Sequence, residues 1–188
     1  RIDGTLPPTI GDAATLEVIR ADKNQLSGSL PSTIGKLRNV LNLDLHDNKL
    51  VGTIPPAISG MESVVRLYLQ QNQLEGQIPV TLGDSPGQND SSVPLASLQE
   101  LKLSSNKISG TIPPSLGKLY SLHHLAIDSN QITGSIPDEL GFLSQRLQLL
   151  HLQNNRLDGL LPTFFRQADF RAVAITLAAN PFWCPLPA

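Results

Sequence analysis

The chain has 188 residues, of which 40% are hydrophobic and 16% are charged, with 14 basic residues against 16 acidic ones. A net charge of −2 and a pI of about 6.1 leave no excess of Lys and Arg, which argues against a general nucleic-acid or anionic-membrane binder. No apolar run approaches the roughly 18–20 residues that span a bilayer, so direct membrane insertion of this segment is not expected.

One pattern of residue types, LxLxxNxLxGxIPxxIG, recurs along almost the whole chain. Its asparagines are Asn24, Asn48, Asn72, Asn106, Asn130, Asn155 and Asn180. Successive copies are therefore 24, 24, 34, 24, 25 and 25 residues apart. A fixed period in the twenties, with leucine-type residues and asparagine at fixed positions, predicts a leucine-rich repeat solenoid of the α/β type. We expect residues 1–188 to form one domain of about seven stacked repeats.

The chain opens on the back half of a repeat. Residues 1–15 match the end of the pattern without its strand, and the first residue is Arg1 rather than Met. We expect this chain to be a trimmed piece of a longer protein, with a terminal cap upstream, because an uncapped solenoid end exposes apolar surface.

Seven short strands are predicted, each ending at one of the asparagines. They cover 16–24, 40–48, 64–72, 98–106, 122–130, 147–155 and 172–180. Residues such as Val40, Leu43 and Leu45 are apolar and point into the core, so the intervening side chains point out of a parallel sheet on the concave side. The asparagine amide is predicted to satisfy backbone groups of its own and the next coil.

Each strand is followed by an LxGxIP element, for example Leu50, Gly52, Ile54 and Pro55. Glycine permits a tight or left-handed backbone, and proline helps to end the segment. A short helical or 3₁₀ segment, such as 32–37, then leads round the convex side.

Two places break the period. Residues 85–94, SPGQNDSSVP, are ten extra residues whose composition predicts an exposed loop, and they include the sequon at Asn89. Asn89 is predicted to carry a glycan, with a plain polar loop as the alternative. One extra residue between Phe142 and Leu147 is expected to loosen a convex turn.

The last repeat, 172–188, is predicted to be a C-terminal cap, because Phe182 and Trp183 follow its strand where polar residues and glycine usually stand. Cys184 is the single cysteine. It is expected to pair with a cysteine outside this segment or to remain a buried or reactive thiol.

The full motif LxxLxLxxNxLxGxIPxxLG is clearest over 122–141, LHHLAIDSNQITGSIPDELG. It closely resembles the plant-type class of leucine-rich repeats, as in the ectodomains of plant receptor kinases and receptor-like proteins and in secreted inhibitors of cell-wall polygalacturonases. The resemblance implies an extracellular setting, a second small sheet from the LxGxIP segments, a twisted superhelix, and peptide or protein binding along the concave face. The family's paired-cysteine N-terminal cap is absent, and the ending NPFWCPLP also resembles surface repeat proteins of some protists.

The binding face is predicted from the outward residues of neighbouring strands, which lie about 4.8 Å apart. Near the N-terminus this places opposite charges or hydrogen-bonding groups together: Arg20 with Asp44, Asp22 with His46, and Lys23 with Asp47. Such pairs partly neutralise that end of the face. We therefore expect the ligand farther along the sheet.

The predicted ligand-binding residues are Arg66, Tyr68, Gln70, Glu100, Lys102, His124, Asp128 and His151. Tyr68 ranks first because it is the only aromatic residue in these strand positions, and Tyr and Arg are favoured at binding hot spots. A tyrosine that packs on its neighbours and binds no ligand is the alternative.

All four histidines occupy outward strand positions. His124, His151 and Asp128 are near one another, but a transition-metal site needs three or four converging ligands, so no metal or other cofactor is predicted there. Solvated histidines or a pH-sensitive contact are the alternatives. The sequence also groups no nucleophile with a base and an orienting residue, so an enzyme is not expected.

These features favour an extracellular or cell-surface recognition module, part of a receptor-type ectodomain. Its expected partner is a protein or peptide ligand on the concave face, with a co-receptor as a second candidate partner. The alternatives are a secreted inhibitor of a cell-wall-degrading enzyme and a surface or structural repeat protein without a specific ligand.

Overall fold

A single parallel sheet runs the length of the chain. The computed structural model describes residues 1–84, 94–166 and 174–182. The strands of this sheet are β2 (Val18–Arg20), β4 (Asn42–Asp44), β6 (Arg66–Tyr68), β8 (Glu100–Lys102), β10 (His124–Ala126), β12 (Leu149–His151) and β14 (Ala174–Thr176). They lie side by side in chain order, as a stack of repeats requires.

The register of this sheet is constant. Asn42 pairs with Arg66, and Arg66 pairs with Glu100, although the second step spans the longest interval in the chain. Residues at equivalent repeat positions are therefore neighbours, and the extra residues of the long repeat do not shift the strands. The prediction of a leucine-rich repeat solenoid with a parallel sheet of seven strands is confirmed.

A second set of short strands comes from the LxGxIP segments. They are β1 (Asp3–Thr5), β3 (Gln25–Ser27), β5 (Val51–Thr53), β7 (Gln73–Gln77), β9 (Lys107–Ser109), β11 (Thr133–Gly134) and β13 (Arg156–Leu157). They pair in parallel: β1 with β3, β5 with β7, β7 with β9, and β11 with β13. Gly52 in β5 has φ of 73°, a left-handed backbone that glycine adopts without a Cβ penalty.

The convex side is built from short 3₁₀ helices. They are η1 (Pro8–Asp12), η2 (Ser32–Lys36), η3 (Pro56–Gly60), η4 (Val80–Leu82), η5 (Pro114–Lys118), η6 (Asp138–Leu143) and η7 (Thr163–Arg166). The residue before each of the first six is a proline with φ between −63° and −70°. The repeat with the extra residue after Phe142 contains η6, which has six residues, whereas η2, η3 and η5 have five residues each. None of the helices in the described ranges is long and apolar enough to cross a membrane.

The core is a continuous column of leucine and isoleucine, and the asparagines hold successive coils together. Leu43, Leu45 and Leu50 are completely buried. The side-chain nitrogen of Asn48 donates to the carbonyls of Leu45 (3.1 Å) and Ala21 (2.9 Å), while its oxygen accepts from the amide of Leu26 (2.9 Å). The predicted ladder is present, but it reaches the preceding coil rather than the next one.

Both ends of the stack have partial repeats. β1 pairs with β3 although the chain lacks a first concave strand for that repeat. At the other end, Phe182 packs against the core. Residues 85–93, with Asn89, and residues 183–188, with Trp183 and Cys184, lie outside the described residues, so the loop, the glycan and the complete cap stay predictions.

Candidate functional site

Side chains from three adjacent strands converge on the carboxylate of Glu100. The Tyr68 hydroxyl donates to Oε2 at 2.6 Å, and Lys102 Nζ lies 3.0 Å from the same oxygen. Arg66 Nε is 3.4 Å from Oε1, and His124 Nδ1 is 3.4 Å from Oε2. We call these five residues the Glu100 network.

The strands position this network through their alternation. Leu67, Leu101 and Leu125 are the buried central residues of β6, β8 and β10, and each is completely inaccessible to solvent. Because successive side chains of a strand point to opposite faces, the flanking residues must project from the concave face. The constant register then brings Tyr68 opposite Lys102.

Lys102 also makes a cation–π contact. Its Nζ lies 4.4 Å from the centre of the Tyr68 ring while it is paired with Glu100. Such contacts contribute about 0.5–1 kcal/mol at exposed sites. The ring of Tyr68 is therefore fixed by Lys102 at its face and by Glu100 at its hydroxyl.

The electrostatics of the network keep Glu100 ionised. Burial alone raises the pKa of Glu100, but hydrogen bonds from Tyr68 and Lys102, the charge of Lys102 and the contact with His124 outweigh it and lower that pKa to about 2. Burial, followed by the hydrogen bond to Glu100 and its negative charge, raises the pKa of Tyr68. Tyr68 is therefore a neutral donor at physiological pH.

The network carries more positive than negative charge. Arg66 and Lys102 face one carboxylate, and the Arg66 side chain is 48% exposed. Each cation has donor hydrogens beyond the one directed at Glu100. The arrangement can therefore present a held aromatic ring and free cationic donors to a partner above the sheet.

The structure brings five of the eight predicted residues together and places the other three elsewhere. Gln70 follows β6, and its Oε1 is buried without a hydrogen-bond partner among the described residues. Asp128 accepts hydrogen bonds from the hydroxyls of Ser104 and Ser129. His151 ends β12, opposite Ala126, and makes no polar side-chain contact with the Glu100 network within the described part of the chain.

The predicted pairs at the N-terminal end need correction. Arg20 lies opposite Asp44 as expected, but Asp44 Oδ1 is 2.6 Å from Nδ1 of His46, two residues later in the same repeat. No Arg20–Asp44 ion pair occurs in the described ranges.

The described structure also contains no Lys23–Asp47 ion pair. Both residues have φ of 54°, so they stand in the turn beyond the strands rather than in the flat sheet. Asp22 and His46 are neighbours as predicted: ligand atoms of Asp22, Asp44 and His46 all lie within 4.8 Å of one another.

The threefold cluster of Asp22, Asp44 and His46 was not predicted from the sequence. Its signal is the spacing of Asp44 and His46, since residues two apart on a strand share a face. Together with the predicted neighbourhood of Asp22 and His46, this spacing implies a group of three residues. Only the pairwise contacts were predicted.

Comparison with known proteins supports the repeat assignment. A family model described as Leucine Rich Repeat matches residues 39–61, 97–119, 121–143 and 146–168. No curated protein matches the chain in sequence.

Solved structures of plant receptors are similar to nearly the whole chain. The ectodomain of the membrane receptor kinase GASSHO1/SCHENGEN3 from Arabidopsis thaliana, in complex with CASPARIAN STRIP INTEGRITY FACTOR 2, is 35% identical with a TM-score of 0.87, over 96% of this chain and 20% of that one. The plant peptide hormone receptor RGFR1 in complex with RGF2 is 36% identical with a TM-score of 0.84, over 96% of this chain and 27% of that one.

A third similar structure is the Arabidopsis receptor kinase HAESA in complex with the peptide hormone IDA and the co-receptor SERK1. It is 28% identical with a TM-score of 0.86, over 96% of this chain and 28% of that one. The chain thus spans less than a third of each of these receptor chains. The repeats, the parallel sheet and these likenesses show that the chain is similar to plant-type leucine-rich repeat proteins, including receptor ectodomains.

Proposed function

We propose that this segment recognises a peptide or protein ligand on its concave face, centred on the Glu100 network. The observation that carries the proposal is the convergence of Arg66, Tyr68, Lys102 and His124 on Glu100 from three adjacent strands. The network is built from outward residues that differ from repeat to repeat, and ligand choice in a scaffold fold depends on such variable residues.

The similar structures support a receptor-type role. GASSHO1/SCHENGEN3, RGFR1 and HAESA each appear with a bound factor or peptide hormone, and HAESA also with a co-receptor. By analogy, this segment is part of an extracellular ectodomain that binds a peptide or protein and that meets a co-receptor as a second partner. A binding role also suits an open strand face, which offers a row of side chains about 4.8 Å apart to an extended chain.

The physical chemistry of the network suits recognition. Tyr68 is held by Glu100 and Lys102 before any ligand arrives, so little side-chain entropy is lost when the complex forms. Among the described residues Arg66 is paired only with Glu100, through Nε, and its side chain is about half exposed. Tyr and Arg are the residue types that most often dominate binding energy.

The test starts from a display library of random linear peptides selected on the purified chain. Affinities of the selected peptides are then measured by calorimetry for the wild type and for Tyr68→Ala and Arg66→Ala. A hot spot costs at least about 2 kcal/mol, which is a loss of about 30-fold.

Matched controls are Tyr120→Ala and Arg38→Ala, because both residues lie outside the sheet; Tyr120 is 55% exposed, and Arg38 is also exposed. The controls are expected to stay within about twofold of the wild type. If Tyr68→Ala and Arg66→Ala bind the selected peptides as tightly as the wild type does, the assignment of the site is wrong. A failure to select any binding peptide would favour a surface or structural protein instead.

A further inference from the structure

We propose that the Glu100 network selects its ligand by one acidic side chain, the carboxylate of an Asp or Glu within an extended peptide, which Arg66 and Lys102 hold together. This preference rests on the peptide recognition proposed above, and it adds the chemical class of the residue that the network takes. Two features of the network carry it: the unequal burial of its charged groups and the way in which Arg66 is paired.

The two cations of the network are more accessible than the carboxylate that they share. The side chain of Glu100 is 19% exposed, whereas those of Lys102 and Arg66 are 31% and 48% exposed. All three project from neighbouring strands of one face, because Arg66 lies opposite Glu100 and Tyr68 lies opposite Lys102. A group that approaches the sheet from the concave side therefore meets positive charge before it meets Glu100.

Arg66 is bound through a single nitrogen. Its Nε donates to Glu100 Oε1 at 3.4 Å, and neither terminal nitrogen of the guanidinium donates a hydrogen bond to any residue in the described ranges. Those two nitrogens form a planar fork that matches a carboxylate through two parallel hydrogen bonds. Because Nε is directed at Glu100 and about half of the side chain is exposed, the fork is accessible to a carboxylate of the ligand.

Lys102 offers further donors beside this fork. Its Nζ lies 3.0 Å from Glu100 Oε2 and 4.4 Å from the centre of the Tyr68 ring. An ammonium group carries three donor hydrogens, and the contact with Glu100 uses one of them. The ion pair and the ring contact restrict the position of Nζ, so little side-chain entropy is lost when a ligand carboxylate binds.

The charge balance of the network favours a single carboxylate. Arg66 and Lys102 face only Glu100, which leaves an excess of one positive charge that one Asp or Glu side chain neutralises. A phosphate group carries about −1.5 to −2 charges at neutral pH, so it would leave an excess of negative charge beside Glu100.

The other carboxylates on the described part of this face have partners of their own. Asp44 contacts the ring of His46, and Asp128 accepts hydrogen bonds from two serine hydroxyls. Neither forms an ion pair with Arg66 or Lys102 among the described residues. The excess positive charge is therefore not neutralised by the described chain itself.

The experiment uses the peptides selected on the purified chain, synthesised with acetylated and amidated ends so that they carry no terminal carboxylate. Each Asp or Glu of a binder is replaced in turn by Asn or Gln, and the affinities are measured by calorimetry. We expect one acidic residue whose neutralisation weakens binding at least about tenfold, because a charged hydrogen-bonded pair is lost. This loss should become smaller at high salt, which screens partly exposed pairs.

Variants of the chain locate the contact. Arg66→Gln and Lys102→Gln should each remove most of the difference between the acidic peptide and its neutral form. Arg66→Lys should retain part of that difference, because the charge remains while the planar fork is lost. Lys102→Glu should reverse the preference, so that a peptide with Lys in place of the acidic residue binds better than the acidic peptide. A folding defect would weaken both peptides alike.

Matched controls are Arg38→Gln and Lys118→Gln, since each of these cations is exposed and paired with one carboxylate outside the sheet. Both should keep the difference between the acidic and neutral peptides within about twofold of the wild-type value, as expected of a distant site.

Three results would overturn the acidic preference and leave the proposed peptide recognition standing. They are binders without any Asp or Glu, binders that lose affinity only when the C-terminus is amidated, and a tenfold preference for the acidic peptide that persists in Arg66→Gln and Lys102→Gln. A failure to select any binding peptide would overturn both proposals.

Discussion

The hydroxyl of Tyr68 donates a 2.6 Å hydrogen bond to Glu100 Oε2 across the boundary between β6 and β8. This bond joins the first-ranked residue of the predicted binding face to the carboxylate on which its neighbours converge. Together with burial and the contacts of Lys102 and His124, it alters the proton affinity of both partners: the pKa of Glu100 falls to about 2 and that of Tyr68 rises. The bond can therefore be tested without a ligand.

Tyr68→Phe should raise the pKa of Glu100, because a hydrogen bond to the charged carboxylate is lost while the ring remains under Lys102. We expect unfolding free energy to fall by about 1 kcal/mol. Carboxyl NMR titration measures the pKa, and urea denaturation measures the stability. Tyr120→Phe is the control and should change neither; a Glu100 titration identical in wild type and Tyr68→Phe would contradict the hydrogen bond.

Glu100→Gln should destabilise the chain in a pH-dependent way. The folded pKa of about 2 lies below the ordinary value of 4.5, so the ionised carboxylate stabilises the fold fully above about pH 4.5 and loses that effect as pH falls towards 2. We expect a deficit of about 1–3 kcal/mol at pH 7 that shrinks progressively below pH 4.5. Urea denaturation of the wild type and Glu100→Gln across this pH range measures the difference in unfolding free energy. A difference that stays constant down to pH 2.5 would show that Glu100 does not stabilise the fold through its charge.

Asn72→Ala should be among the more damaging single changes in the scaffold. Asn72 is buried, accepts from the amide of Leu50 (3.0 Å), and donates to the carbonyls of Leu45 (3.0 Å) and Leu69 (3.2 Å). Removing it leaves buried backbone groups unsatisfied, which costs roughly 2–4 kcal/mol in total. Asn39→Ala removes one exposed bond to Ala14 and should cost no more than about 1 kcal/mol, as measured by denaturation midpoints. Equal effects of the two substitutions would refute the ladder's role.

The close approach of the convex turns predicts a large effect of Gly35→Ala. A Cβ at Gly35 would lie 1.8 Å from the carbonyl oxygen of Ala57, and the backbone cannot yield without separating two coils. We expect a loss of about 3 kcal/mol or more. In Gly52→Ala the nearest atom is 3.4 Å away, so only the strain of its positive φ remains, about 1–2 kcal/mol. Thermal melting of both variants tests this ordering. A smaller loss of stability in Gly35→Ala than in Gly52→Ala would contradict it.

The scaffold was predictable because its residues recur at fixed positions. Leu43, Leu45 and Asn48 each have equivalents in every repeat, and alignment of the strands on these residues also predicted that Arg66 adjoins Glu100 and Tyr68 adjoins Lys102, despite the ten extra residues between them. Strand alternation fixes the face of a side chain, but not its rotamer. For that reason the pairing of Asp44 with His46, rather than with Arg20, could not be predicted.

The backbone conformation at the strand ends was also not predicted from the sequence. Lys23 and Asp47 adopt left-handed conformations without being glycine, because the turn before each asparagine requires it. Their side chains therefore leave the sheet, and the charge pairing expected between them does not form in the described structure. The Asn89 loop differs again, since it has no equivalent in other repeats from which its position could be inferred.

A ligand that lies over β6 and β8 will slow amide exchange there. Hydrogen–deuterium exchange of the chain, alone and saturated with a library-selected peptide, measures this by mass spectrometry. We predict slower exchange in segments covering 66–72 and 100–105, with no change over η5 and η6 on the convex side. Protection confined to the convex or LxGxIP segments, with 66–72 and 100–105 unchanged, would contradict recognition at the Glu100 network.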